Sequence, residues 1–148
     1  MSNAQQISSS IISMQRVGAY WHLKLRAPEI AHTVAPGHFV AVAVGGDNSS
    51  MLLRRAFSIH NATAGESIEV IFAEHGAGTE WLATQQVGAK LDIIAPLGTP
   101  FVLPKAPMAT VLVAGGYGSA PMGMLARALK ERGCQVEVVL GAATQAKL

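Results

Sequence analysis

Gly115, Gly116 and Gly118 stand between the apolar run Val111-Leu112-Val113-Ala114 and a stretch that opens on Pro121. The pattern reads as a core strand, a glycine turn and a helix. Glycines at such a turn let the backbone bend sharply and approach a ligand closely. Proline suits the first helical position, where its missing N–H costs nothing. Free N–H groups at a helix start attract phosphate. Two familiar phosphate motifs are absent, however. No Gly-Lys-Ser/Thr follows, which excludes the ATPase-type loop. The third glycine of the dinucleotide fingerprint is also missing, and Pro121 stands near where it would fall. Taken alone, the turn is also compatible with a purely structural strand-turn-helix. No other chemistry competes with it. The five histidines have no metal-ligand spacing, no carboxylate pair or Ser-His-Asp arrangement is visible, and the single Cys134 reads as a small core residue.

The elements that must position this turn fall into two groups. The first hundred residues read as β. Strands are expected over 7–15, 19–25, 38–44, 54–60, 67–73 and 90–95, with turns at Ala35-Pro36-Gly37, Gly45-Gly46-Asp47-Asn48 and Pro96-Leu97-Gly98. Gly76-Ala77-Gly78-Thr79 is a further glycine turn, from which Thr79 can cap a short helix over 80–84. Six short strands suggest a small antiparallel barrel. Past Pro104-Lys105-Ala106-Pro107 the pattern becomes strand (110–114), helix (121–132) and strand (136–140), the opening of a parallel α/β domain. The expected division is therefore 1–104 and 105–148. Two strands and one helix are fewer than a doubly wound domain needs, so the second unit is expected to be incomplete.

Charged residues make up 14% and apolar residues 50% of the chain, against about 25% charged in an average soluble domain. That much apolar surface must be covered internally or by a partner subunit. Net charge is only +2 and the basic residues are scattered, which gives no support to nucleic-acid binding. No run approaches the length of a membrane span. The first residues show neither a basic region nor an apolar core, so no signal peptide and a cytoplasmic location are expected. One cysteine excludes an internal disulfide and any multi-cysteine metal site.

A barrel followed by a parallel α/β unit resembles the layout of the ferredoxin reductase superfamily. Arg55-Ala56-Phe57-Ser58 resembles its flavin motif Arg-x-aromatic-Ser/Thr, and Gly76-Ala77-Gly78-Thr79 its Gly-x-Gly-Thr segment. Gly115-Gly116-Tyr117-Gly118-Ser119-Ala120-Pro121 resembles its nicotinamide-side Gly-Gly-x-Gly-x-Ala-Pro. Order and spacing agree. Within the superfamily the chain is most similar to the electron-transfer subunits of two-subunit, NAD-dependent dihydroorotate dehydrogenases. The similarity runs through Leu52-Leu53-Arg54-Arg55-Ala56-Phe57-Ser58-Ile59, Ile94-Ala95-Pro96-Leu97-Gly98-Thr99-Pro100-Phe101 and Val139-Leu140-Gly141-Ala142-Ala143-Thr144.

The resemblance implies an FAD-binding β-barrel followed by the first β-α-β unit of an NAD-binding domain. Arg55 would hold the FAD diphosphate with its planar fork of donors. Strand alternation sets Arg55 and Phe57 on one face and Ala56 and Ser58 on the other. Phe57 would lie against the flavin or belong to the barrel core. The Ser58 hydroxyl, set between Phe57 and Ile59, would need a partner and find it near the flavin N5. Ile71, Phe72 and Ala73 would run beside the flavin through their backbone. Gly78 and Thr79 would donate N–H and O–H bonds to the diphosphate, or simply cap a helix. Gly115, Gly116 and Gly118 would shape the NAD site. By the same resemblance, an FMN-containing catalytic subunit would oxidise dihydroorotate and pass electrons through a [2Fe-2S] cluster to this FAD and on to NAD⁺, in a heterotetramer of pyrimidine biosynthesis. Three departures stand out. Ala56 replaces a proline, Ala73 stands where a basic residue is common, and the Cys-Gly-Pro segment with the four cluster cysteines has no counterpart in these 148 residues. The reductase component of another system, or a non-catalytic flavin- or partner-binding module, remains open as a different reading.

Overall fold

In the computed structural model, residues 4–46 and 49–147 are described; Asp47 and Asn48 of the expected turn after Val44 lie outside them. The chain runs β1 (Gln5–Val17), β2 (Tyr20–Arg26), α1 (Pro28–Ala31), β3 (Phe39–Val42), β4 (Arg55–Thr63), β5 (Ser67–Phe72), α2 (Ala77–Ala83), β6 (Lys90–Leu97), β7 (Ala109–Gly115), α3 (Met122–Glu131) and β8 (Gln135–Gly141). Single 3₁₀ turns follow at Gly116–Ser119 and Gln145–Lys147.

The six expected strands close a barrel in the order β1-β2-β5-β4-β3-β6, every pair antiparallel. Closure depends on the length of β1. Its first half pairs with β6 (Gln5↔Ala95 to Ser10↔Lys90), and its second half pairs with β2 (Ile11↔Leu25 to Val17↔Tyr20). An irregularity between Ile11 and Ser13 bends the strand from one partner to the other. Alternation then fills the inside. Leu23 and Leu25 of β2, Val40 and Val42 of β3, and Ile68, Val70 and Phe72 of β5 are all at or near zero exposure. On the outer face of β2, His22 and Lys24 pair with Glu69 and Glu66.

β7 and β8 form a separate parallel pair, with α3 against one face through Leu125 and Leu129. Cys134 is buried beside them. The expectation of a fully buried core strand at 111–114 is corrected on one point. Val111 and Val113 are 60% and 74% exposed, because among the described residues α3 is the one helix packed on this sheet, and it covers the face that carries Leu112 and Val136.

The turn before β3 carries a buried histidine. His38 is 7% exposed, and its Nδ1 accepts the Ala35 N–H at 3.1 Å. Burial pushes its pKa below the ordinary 6.5. The native state therefore favours neutral imidazole. Its contribution is complete above pH 6.5 and is lost as acid lets the unfolded chain take up the proton that the native state resists. Thermal unfolding should show Tm falling from about pH 7 to about pH 5, with a shallower fall in His38→Gln. Parallel slopes would exclude His38 as the source.

Candidate functional site

The site arises because β4 changes partners along its length. Arg55 to Ser58 pair with β3 (Val42↔Arg55, Ala41↔Ala56, Val40↔Phe57, Phe39↔Ser58). From Ile59 onward β4 pairs with β5, ending at Ile59↔Val70. Beyond Val70, β5 is paired only with β2, through Ile71↔His22 and Phe72↔Trp21. The first half of β4 and the last part of β5 therefore splay apart. The gap exposes strand-edge backbone on both sides, and such groups require partners. A cleft of about 280 Å³ lies there, lined by Arg55, Ala56, Phe57, Ser58, Ile71, Phe72, Ala73, His75, Thr79, Tyr117 and Ala120. Eight of the nine residues expected on the flavin side thus meet in one place, and Gly78 stands behind Arg55.

The two adjacent arginines have different surroundings. Arg54 is tied to Asp92, with Nη2–Oδ2 at 2.6 Å and Nη1 donating to the Asp92 carbonyl at 2.9 Å. Among the described residues Arg55 carries no ion pair; its Nη1 donates to the Leu53 carbonyl at 2.9 Å. Its guanidinium lies across the start of α2. A Cβ at residue 78 would fall 2.9 Å from Arg55 Nε and 3.0 Å from Val44 Cγ2. Glycine at 78 therefore serves the close approach of the arginine, since its own φ is not positive.

Helix α2 begins earlier than expected. Gly76, at φ +87°, is the N-cap, and Thr79 lies inside the first turn. The Gly76 carbonyl accepts from Thr79 N, Glu80 N and Thr79 Oγ1, the last at 3.0 Å, while Thr79 Oγ1 accepts from His75 N at 2.6 Å. The threonine hydroxyl thus braces the turn, and the N–H groups of Ala77 and Gly78 come before the first bonded one.

Alternation in β4 follows the expected phase. Arg55 and Phe57 share the face of Val42 and Val40, while Ala56 and Ser58 point outward. Phe57 serves both core and cleft. It is half-buried, packs on the core, and its ring centroid lies 5.6 Å from that of Phe72. Ser58 is exposed on the cleft wall. Its hydroxyl is therefore not a buried group in need of a partner, because water can reach it.

A second cleft of about 370 Å³ lies between the barrel and the α/β pair, lined in part by Gly116, Ser119, Met122, Gly123 and Leu140. Gly115 and Gly118 line neither cleft. Of these three, only Gly116 uses glycine's left-handed freedom, at φ +54°; Gly115 closes the pairing of β7 opposite Gly141. Pro121 is the N-cap of α3, so the helix begins at Met122, one position later than expected.

Sequence reasoning left out His60, His75 and Tyr117. His60 is the extra residue where β4 moves two positions (Ile59 to Asn61) against one on β5 (Val70 to Glu69). The bulge turns its ring toward the α/β unit, where Nδ1 donates to the Ala120 carbonyl at 2.7 Å. Asn61 accepts from Arg127 Nη2 at 2.6 Å. The strand that lines the first cleft thus also seats α3. Adjacency to Arg55-Ala56-Phe57-Ser58 was the one available signal for His60, and the position of Tyr117 within the glycine turn was the signal for Tyr117.

No family profile matches the chain. It is 38% identical over 123 residues to the dihydroorotate dehydrogenase B (NAD(+)) electron transfer subunit of Desulforamulus reducens, a match spanning 82% of this chain and 47% of that protein. The subunit of the same name from Shouchella clausii is 40% identical over 129 residues (85% and 49%), and that from Enterococcus faecalis 32% over 148 residues (98% and 56%). The chain spans about half the length of these relatives. Among solved structures, an NADH-dependent reduced ferredoxin-NADP oxidoreductase superposes with TM-score 0.83 at 24% identity, covering 96% of this chain and 51% of that one. The ferredoxin reductase in carbazole 1,9a-dioxygenase gives TM-score 0.83 at 22% identity, covering 98% and 45%. Phthalate dioxygenase reductase gives 0.74 at 23%, covering 93% and 43%. The barrel and its α/β unit thus share the fold of these reductases, and the chain is a sequence relative of the electron transfer subunits of dihydroorotate dehydrogenase B, matched over about half their length.

Proposed function

We propose that the cleft between β4 and β5 binds FAD and that the chain is the flavin-holding part of an electron transfer subunit serving a dihydroorotate dehydrogenase. One observation carries this reading. The barrel parts its strands where Arg55 to Ser58 face Ile71 to Ala73, leaving an apolar floor of Phe57, Ile71 and Phe72 beside a guanidinium without a carboxylate partner among the described residues. That donor set suits a planar ring joined to a diphosphate.

Arg55 would hold the diphosphate, with the N–H groups of the Gly76–Thr79 turn beside it. Phe57 would pack at the ring, the Ser58 hydroxyl would sit near its N5, and the backbone of Ile71, Phe72 and Ala73 would offer partners along one edge. Bound FAD supplies the redox chemistry; the residues of this chain bind it, orient it and limit water access. The second cleft, with Gly116 on its wall and Gly115 and Gly118 in the same turn, would receive the nicotinamide nucleotide. The division into an FAD domain over 1–104 and an NAD-side unit over 105–148 follows the change from closed barrel to parallel pair.

The partner in this reading is an FMN-containing catalytic subunit, in a cytoplasmic heterotetramer, with dihydroorotate as its substrate and NAD⁺ as the final acceptor. Identities of 32–40% to subunits of that name favour it over the reductase of another system. No helix among the described residues is long and apolar enough to cross a membrane. The residues present do not fit a [2Fe-2S] cluster. Cys134 is the single cysteine and is buried, and among the described residues no three His, Cys, Asp or Glu side chains gather as metal ligands.

A visible spectrum of the purified chain, taken after adding FAD and removing the excess, tests the reading. Flavin bands near ~450 nm should remain with the protein. A colourless protein would overturn it.

A further inference from the structure

Tyr117 belongs to the glycine turn, yet it lines the first cleft as well as the second, together with Ile71 and Ala120. The residue is 61% exposed, an unusual setting for a large aromatic residue beside an apolar cleft. Its backbone, in contrast, is held firmly. Ser119 Oγ donates to the Gly116 carbonyl at 2.7 Å, Ala120 N donates to the Tyr117 carbonyl at 3.3 Å, and His60 fixes the Ala120 carbonyl at 2.7 Å. The phenol itself makes one aromatic contact, a T-shaped approach to Tyr20 at 6.3 Å and 84°. A fixed turn thus presents a largely bare aromatic ring where the two clefts meet.

We infer that Tyr117 is a positioning residue whose ring packs against the planar heteroaromatic ring bound in the first cleft, forming its wall toward the second cleft. The inference rests on the flavin reading of that cleft. The physical reason is the preference of aromatic rings for offset-stacked or edge-to-face partners. An exposed ring at the rim of the cleft is free to make this contact.

A flavin's own emission reports this contact. An electron-rich phenol touching the photoexcited flavin lends it one electron and takes it back, so emission is quenched with no net reaction. Tyr117 is the only tyrosine or tryptophan among the residues lining the cleft, which makes the signal assignable. The full chain, Tyr117→Phe and Tyr117→Leu should each be loaded with FAD, freed of excess, and measured by time-resolved fluorescence. All three should retain flavin, because an exposed side chain contributes little to the fold. The mean lifetime should be several-fold longer in both variants than in the wild-type chain. Phenylalanine keeps the packing face and removes the readily oxidised phenol, so its lifetime separates contact from a loss of shape. Equal lifetimes in the three chains would overturn the role of Tyr117 and leave the flavin reading intact. Loss of flavin from Tyr117→Phe would also overturn it, since the same face remains. Failure of the wild-type chain to hold FAD would overturn both.

Discussion

FAD should bind Arg55→Ala at least about tenfold more weakly than the wild-type chain, a loss of about 1.4 kcal/mol or more. Hydrogen bonds from an ionised donor contribute about 1.5–3 kcal/mol, and Arg55 is the residue placed to supply them. Its neighbour cannot substitute, because Arg54 is held on Asp92 by two hydrogen bonds. Arg54→Ala is therefore the control and should leave affinity unchanged. Lysine at 55 should restore only part of the loss, since an ammonium lacks the planar fork. Fluorescence or calorimetric titration reads all three. An unchanged Kd in Arg55→Ala would remove this residue from the diphosphate site.

The largest effect on stability should come from Phe72→Ala, at about 3–5 kcal/mol. Phe72 is 1% exposed, pairs across the sheet with Trp21, and packs on Phe57 at 5.6 Å. Truncation removes apolar contact and leaves a void under the cleft floor. Denaturant unfolding should show a lower midpoint with an unchanged slope. A loss below about 1 kcal/mol would mean that the cleft collapses onto the space, and that its floor is not a packed wall.

Much of this was legible in the chain. Period-two alternation in β2 and β5, punctuated by glycine and proline, identified the barrel strands because each has one dry face. The pairing of Arg55 with Phe57 followed from the same rule. What escaped depended on partners that no local pattern records. Helix α1 is four residues long, too short for a period to show. The start of α2 was misplaced because the Gly76 carbonyl, and not the Thr79 side chain, gathers the first-turn donors. Val111 and Val113 look like core residues by type, but their exposure depends on how many helices cover the sheet. The Ser58 hydroxyl looked buried between apolar neighbours, yet in a strand those neighbours point to the opposite face. His60 and Tyr117 matter through neighbours more than 40 residues away in sequence, the Ala120 carbonyl and the cleft wall at Ile71 respectively, which a lone histidine or tyrosine cannot reveal.

The bulge at His60 has a consequence for how β4 tolerates change in length. Before it the inward positions are odd, at 55, 57 and 59; after it the inward residue is Ala62, opposite Ile68. The strand thus reverses its phase in mid-course, which lets it satisfy β3 with one half and β5 with the other. Deleting residue 60 would restore a single phase across the whole strand. Arg55, Phe57, Ile59 and Ala62 would all keep their faces, because the ladder Ile59↔Val70, Asn61↔Glu69, Ala62↔Ile68 is already regular without residue 60; what would go is the bend and the His60 hydrogen bond to the Ala120 carbonyl. The length of β4 can therefore change by one at the bulge without moving Arg55 and Phe57 off their shared face, whereas a change by one between those two residues would set them on opposite sides of the sheet, whatever side chains it carried.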